Sequence, residues 1–145
     1  MTVTHYPNVS FLRRLGGIVY DLILVIAVIV VIGAITLFIL QVNGLKSIQP
    51  DSTLSHVFFL YYLFIAFAFF AGFWTHGGQT LGMRAWKMRV VTLDNTSMSM
   101  FDALARFGFA LCLPLISQLW SLVDKQGLAL HDRLSGTKLI YLVEK

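Results

Sequence analysis

Five charged side chains, Arg14, Asp21, Arg84, Arg106 and Asp132, stand in or beside stretches that are otherwise apolar, and their types define what chemistry is open to the chain. An aspartate at membrane depth costs a few kcal/mol even on insertion scales lenient to charge, so Asp21 should turn inward towards a partner, water or a bound cation. A carboxylate there can hold a proton or a metal cation but not both well, which is the elementary requirement for exchange. On a helix the step from Arg14 to Asp21 is close to two turns, which puts both on one face, about 10 Å apart along the axis. The same residues support a plainer arrangement, in which Asp21 is neutralised by Arg14 or Arg106 and Asp132 by Arg84 or Arg133. That would be a structural ion-pair network fixing helix register. Two function classes follow: an oligomeric carrier of monovalent cations or protons that uses Asp21, and a non-catalytic membrane scaffold that binds another membrane protein. Three or four helices can hardly enclose a water-filled path, so transport would require a homo-oligomer or a partner.

The adjacent His131-Asp132 invites a catalytic pair or a metal-ligand set, but neighbouring residues seldom aim at one target. No nucleophile sits on a recognisable elbow, and His5, His56, His76 and His131 show no ligand spacing. No enzyme activity, metal or cofactor is therefore expected. Asp132 and Thr137 are expected instead to bond local backbone amides in a turn. The segment Gly77-Gly78-Gln79-Thr80-Leu81-Gly82 is no phosphate loop, since no Gly-Lys-Ser/Thr follows it. Its glycines let the backbone leave the bilayer and turn back along the surface. Cys112, the single cysteine, lies in an apolar stretch and reads as packing.

Hydrophobic residues make up 57% of the 145 and charged ones 12%, the signature of an integral membrane protein of one domain, with the lipid bilayer as its first partner. The net charge of +4 comes from bases beside apolar runs, with no basic face interleaved with base-stacking aromatics, so nucleic acid is not expected as a partner. Residues 1–10 read as a mobile polar leader with Ser10 as an N-cap, and 15–40 as the first span, too long for a cleaved signal peptide. A loop of turn composition follows at 41–55, then a second span at 57–74 anchored at the interface by Trp74 and His76. Arg13, Arg14, Arg84, Lys87 and Arg89 would then share the cytoplasmic side, with the amino terminus.

The third region, 101–123, carries Asp102 and Arg106 near its start and Pro114 at its middle. A proline removes a backbone bond, so a broken, hairpin-like or re-entrant segment is expected, with a single kinked crossing as the alternative. The hairpin keeps the basic tail, 124–145, on the cytoplasmic side. Residues 87–93 and 137–143 each alternate apolar with polar side chains and follow glycine-bearing turns, so they are expected to pair. The fold class is therefore an all-α membrane protein, a small transmembrane bundle of two clear spans and a broken third segment, with a two-stranded cytoplasmic β cap.

Arg14 and Asp21 in the first span, Gly77-Gly78-Gln79-Thr80-Leu81-Gly82-Met83 after the second, and His131-Asp132-Arg133-Leu134-Ser135-Gly136-Thr137 near the end together resemble the RDD family of small bacterial membrane proteins. The family takes its name from one arginine and two aspartates, which map to Arg14, Asp21 and Asp132. The resemblance covers nearly the whole chain, departs from the family at Gly17, where alanine is common, and has a short region between Arg106 and His131. It implies a multi-pass protein of the bacterial cytoplasmic (inner) membrane. A few members are associated with sodium or proton antiport, and no general activity follows.

Overall fold

The computed structural model describes residues 9–44 and 48–142, so most of the expected leader and the end of the tail lie outside the described residues. Helix α1, Phe11–Val42, begins before the apolar run because Arg13 and Arg14 join its first turn. Ser10 occupies the capping position with extended backbone, but its side chain makes no capping bond. At 1.5 Å per residue such a helix runs about 48 Å, longer than a hydrocarbon core of about 30 Å, so it tilts or projects from the bilayer. Helix α2, Thr53–Thr75, is capped by the Ser52 hydroxyl, which accepts from the Ser55 amide. Both are long and apolar enough to cross a membrane. They meet along a thin seam, where Thr36 Oγ1 lies 2.9 Å from the Tyr61 hydroxyl and Gly33 faces the Tyr62 ring.

The chain leaves α2 through Gly78, whose φ of +71° favours glycine. Its amide closes the end of α2 on the carbonyls of Phe73 and Trp74, and its carbonyl accepts from Val90 at 2.7 Å. A short helix, α3 at Leu81–Ala85, then leads into strand β1, Met88–Thr92. Beyond a turn at Asn95 come α4, Met100–Cys112, and α5, Pro114–Val123, then α6, Leu130–Leu134, and strand β2, Thr137–Tyr141. The strands pair antiparallel in a register that sets Met88 opposite Tyr141 and Thr92 opposite Thr137, so the expected cap forms within the expected segments. The alternation is not strict: Val90 and Val91 are both buried, as are Leu139 and Ile140, because the ribbon is covered on both faces at its middle.

The third region is broken, as the proline demands, but Pro114 does not kink a helix. It occupies the first turn of a new one, where a missing N–H costs nothing. The axes of α4 and α5 differ by 98°, a right angle rather than a full return. The chain reaches the cap end later, through α6 and β2. Asp102 completes a capping box with Ser99 at the start of α4.

A compact core of Val9, Ala71, Trp74, Met83, Met88, Val90, Met98, Ala103 and Leu139 joins the cap to the ends of α2 and α4. Trp74 is thus no interfacial anchor: it is 6% exposed, stacks on Phe70 and sits under Arg106, while His76 remains at the surface. Cys112, expected as packing, is exposed at the end of α4.

Candidate functional site

Arg14 and Asp21 do share one face of α1, and Gly17, Val25 and Gly33 complete its buried positions. They do not pair. The α1 arginine reaches across to α6, where Arg14 Nη1 donates to Asp132 Oδ2 at 2.7 Å and Nη2 to the Gly127 carbonyl at 2.9 Å. From α4, Arg106 Nη1 donates to the other oxygen, Asp132 Oδ1, at 2.5 Å and to Thr137 Oγ1 at 2.6 Å. Asp132 also accepts from the Ala129 amide at 3.0 Å, closing the first turn of α6. It is wholly buried, and the two arginines nearly so. Burial alone would raise this carboxyl, but the Arg106 and Arg14 charges outweigh it and hold Asp132 well below the usual carboxylate range.

The expected neutralising partners of Asp132 are therefore wrong. Arg133 faces away and pairs with Asp124 at 2.7 Å, and Arg84 is exposed, with no ion pair among the described residues. Nor does Thr137 bond a local amide: its hydroxyl serves Arg106 and the Ser135 hydroxyl. A turn bond was the right expectation for Asp132 alone, where it accompanies the bonds from the two arginines.

His131 extends the cluster into α5. The Ser117 hydroxyl accepts from the His131 amide at 2.8 Å and lies 2.6 Å from Nδ1, and it donates to that nitrogen when the ring proton is on Nε2, the side of the Asp132 carboxylate. That tautomer is assigned because Nε2 faces the acceptor-only Asp132 Oδ1 at 3.4 Å. Burial and the nearby Arg106 lower His131 to about 4, against the pull of Asp132, so the ring is neutral near pH 7. A folded pKa below the unfolded 6.5 means that the unfolded chain binds the extra proton. Stability is then complete above about pH 6.5 and falls on acidification towards pH 4, by on the order of 3 kcal/mol. Asp132, also depressed, adds its loss only below about pH 4. Unfolding in detergent micelles followed by circular dichroism from pH 7 to 4 should show this slope, and His131→Gln should flatten it; an unchanged slope in the variant would place the titrating group elsewhere.

Asp21 does different work from that expected, for neither Arg14 nor Arg106 neutralises it. Its Oδ1 accepts from the Gly82 amide at 2.9 Å and its Oδ2 from the Thr80 hydroxyl at 2.5 Å, while that hydroxyl accepts from the Met83 amide. The carboxylate thus caps α3 across a helix junction. Gly82 makes the approach feasible, since a Cβ there would stand 2.5 Å from the Gly17 carbonyl oxygen. Gln79 ties the same loop to β1 by donating to the Met88 carbonyl at 2.7 Å. Gly136, with φ +65°, ends α6 and accepts from the Leu93 amide. Gly77 stands in open space and makes no such demand.

Between α1, α4 and α5 lies a cavity of about 550 Å³ whose walls include Arg14, Asp21, Arg106 and His131. Sequence reasoning missed Ser117 and Ser135, which are buried hydroxyls of the cluster, and Asp124, the partner of Arg133. Ser117 carried a readable signal, a polar residue inside an apolar run. Among the described residues no group of His, Cys, Asp and Glu could hold a metal ion.

A family model, that of the RDD family, matches residues 9–136. No curated protein and no solved structure matches the chain.

Proposed function

The chain belongs to the RDD family, and on that premise we propose that it is a non-catalytic, multi-pass protein of the bacterial cytoplasmic membrane that binds another membrane protein or a second copy of itself. Its arginines and aspartates serve as structural fixings. One observation carries this reading: both motif carboxylates are spent on protein donors, Asp132 on two arginines and an amide, Asp21 on the Thr80 hydroxyl and the Gly82 amide. An exchange carboxylate must surrender its oxygens to an ion. Here each surrender would open a junction between elements. The charge bias supports a cytoplasmic cap end, since Arg13, Arg84 and Arg89 gather there, Arg13 lying 3.8 Å from the centre of the Tyr141 ring.

A second reading, a cation or proton carrier, is favoured by one fact: Asp21 lines the cavity and has no cationic partner among the described residues. Proteoliposomes with a pH-sensitive dye decide between them, wild type against Asp21→Asn, under sodium, potassium and proton gradients. The expected result is no flux above empty vesicles from either protein, with a lower folded yield for the variant. A wild-type flux that Asp21→Asn abolishes while helix content and elution stay unchanged would replace the scaffold with the carrier.

A further inference from the structure

Away from the ionic cluster, the last turns of α2 and the loop into α3 form an open groove of about 600 Å³. Its polarity runs one way. Phe69, Gly72 and Phe73 line the part towards the middle of α2, and His76, Gln79 and Arg84 the part towards the cap. Seven residues separate Phe69 from His76, about 10 Å along the axis, so the groove passes from the apolar span to the level at which the chain leaves the bilayer. Arg84 is exposed, and its side chain makes neither a hydrogen bond nor an ion pair among the described residues. No carboxylate lines the groove. Asp21, seated on the start of α3, is buried with its oxygens taken by Thr80 and Gly82, and Arg89 of β1 adjoins Gly78, so two arginines stand against one buried carboxylate. The local balance is positive. Gly72 stands inside a helix, where glycine is a poor former, yet a Cβ there would meet nothing within 4 Å. Packing within the chain does not require it, whereas a furrow left open for another molecule does. The His76 ring adds an acceptor. Its Nδ1 lies 3.0 Å from the Gly72 carbonyl, which can only accept, and 3.0 Å from the Thr75 hydroxyl, whose own proton goes to the Ala71 carbonyl. Nδ1 is thus assigned the proton, and Nε2 of the neutral ring is left to accept.

We propose that this groove at the end of α2 holds an anionic phospholipid of the cap-side leaflet, its phosphate on the Arg84 guanidinium, a headgroup hydroxyl on His76 Nε2 and an acyl chain along Phe69, Gly72 and Phe73. A guanidinium suits a phosphate because it can donate two parallel bonds to it. The apolar half of the groove offers a free phosphate nothing, while it matches a chain lying beside α2. An arginine near the membrane surface is worth about fivefold in affinity for an anionic over a zwitterionic lipid. The lipid sits there whichever partner the scaffold carries, because the groove belongs to this chain alone.

The full chain, solubilised with equimolar phosphatidylglycerol and phosphatidylcholine of matched acyl chains, should retain the glycerol lipid about fivefold over the choline lipid, as read by native mass spectrometry. Arg84→Gln, which breaks no bond among the described residues, should bring that ratio close to one. Gly72→Leu fills the furrow from a position where a Cβ meets nothing, so it should abolish the preference with helix content and elution unchanged. Lys125→Gln, at an exposed base on the loop after α5, should keep the wild-type ratio. A wild-type ratio near one would overturn the site, as would an undiminished ratio in Arg84→Gln or in Gly72→Leu. An equal fall in Lys125→Gln would mean diffuse attraction between charges, and release of the lipid by millimolar inorganic phosphate would mark a soluble anion as the occupant; either result overturns the proposal.

Discussion

Asp132→Leu is expected to abolish folded protein, whereas Arg14→Leu and Arg106→Leu should each leave a recoverable fraction. The asymmetry comes from charge. Removing either arginine leaves the carboxylate facing one cation, a balanced pair, while removing Asp132 leaves two buried guanidinium groups with no counter-charge. Breaking a buried pair from one side costs about 3–5 kcal/mol, and here two pairs break together, which approaches the whole stability of a small domain. The triple variant Arg14→Leu/Arg106→Leu/Asp132→Leu should recover much of the yield, since replacing a complete buried network by apolar side chains is often close to neutral. Arg14 and Asp21, by contrast, share no partner, so Arg14→Leu and Asp21→Leu should add to within about 0.5 kcal/mol. The measurement is a double-mutant cycle on reversible unfolding in mixed micelles. A large coupling energy for Arg14 with Asp21, and none for Arg14 with Asp132, would show that the helix-face pair operates and the long-range one does not.

That contrast also shows what a sequence can disclose about such a site. Periodicity located Arg14 and Asp21 on one face of α1 correctly, because helix geometry depends only on spacing. It did not disclose their partners, which come from α6 and α3, far along the chain, and depend on how the cap folds back. The strands at Met88–Thr92 and Thr137–Tyr141 were legible from alternation and flanking glycines. Their burial on both faces was not, since it depends on distant segments such as those of Val9, Trp74 and Met98 packing against the ribbon. Pro114 announced a break, and the angle followed from its place in the first turn of α5, which a proline alone does not fix. Trp74 was misread because an aromatic near a span end fits an interfacial belt as well as a core. Only the proximity of Arg106 and Phe70 distinguishes the two.

Gly82→Ala is expected to be strongly destabilising although it adds a single methyl. The added Cβ would stand 2.5 Å from the Gly17 carbonyl oxygen and 2.8 Å from the Asp21 carboxylate carbon. Neither obstacle yields easily, for one is backbone inside α1 and the other is held by Thr80. Helix α3 must therefore move outward, stretching the Gly82 amide away from Asp21 and leaving a buried carboxylate short of a donor. Overpacking costs about 1–3 kcal/mol and a lost bond to a charged group about 1.5–3 kcal/mol, so a loss of roughly 3–5 kcal/mol is expected. Two neighbours act as controls. Gly77→Ala meets open space and should change stability by less than about 0.5 kcal/mol, while Gly17→Ala meets the Met88 methyl, the movable end of a flexible side chain, and should cost an intermediate amount. Asp21→Ala should not rescue Gly82→Ala, because the Gly17 carbonyl remains in place. Thermal unfolding of the four variants in one detergent tests the ranking, and a neutral Gly82→Ala would mean that α3 is not docked on α1 through Asp21.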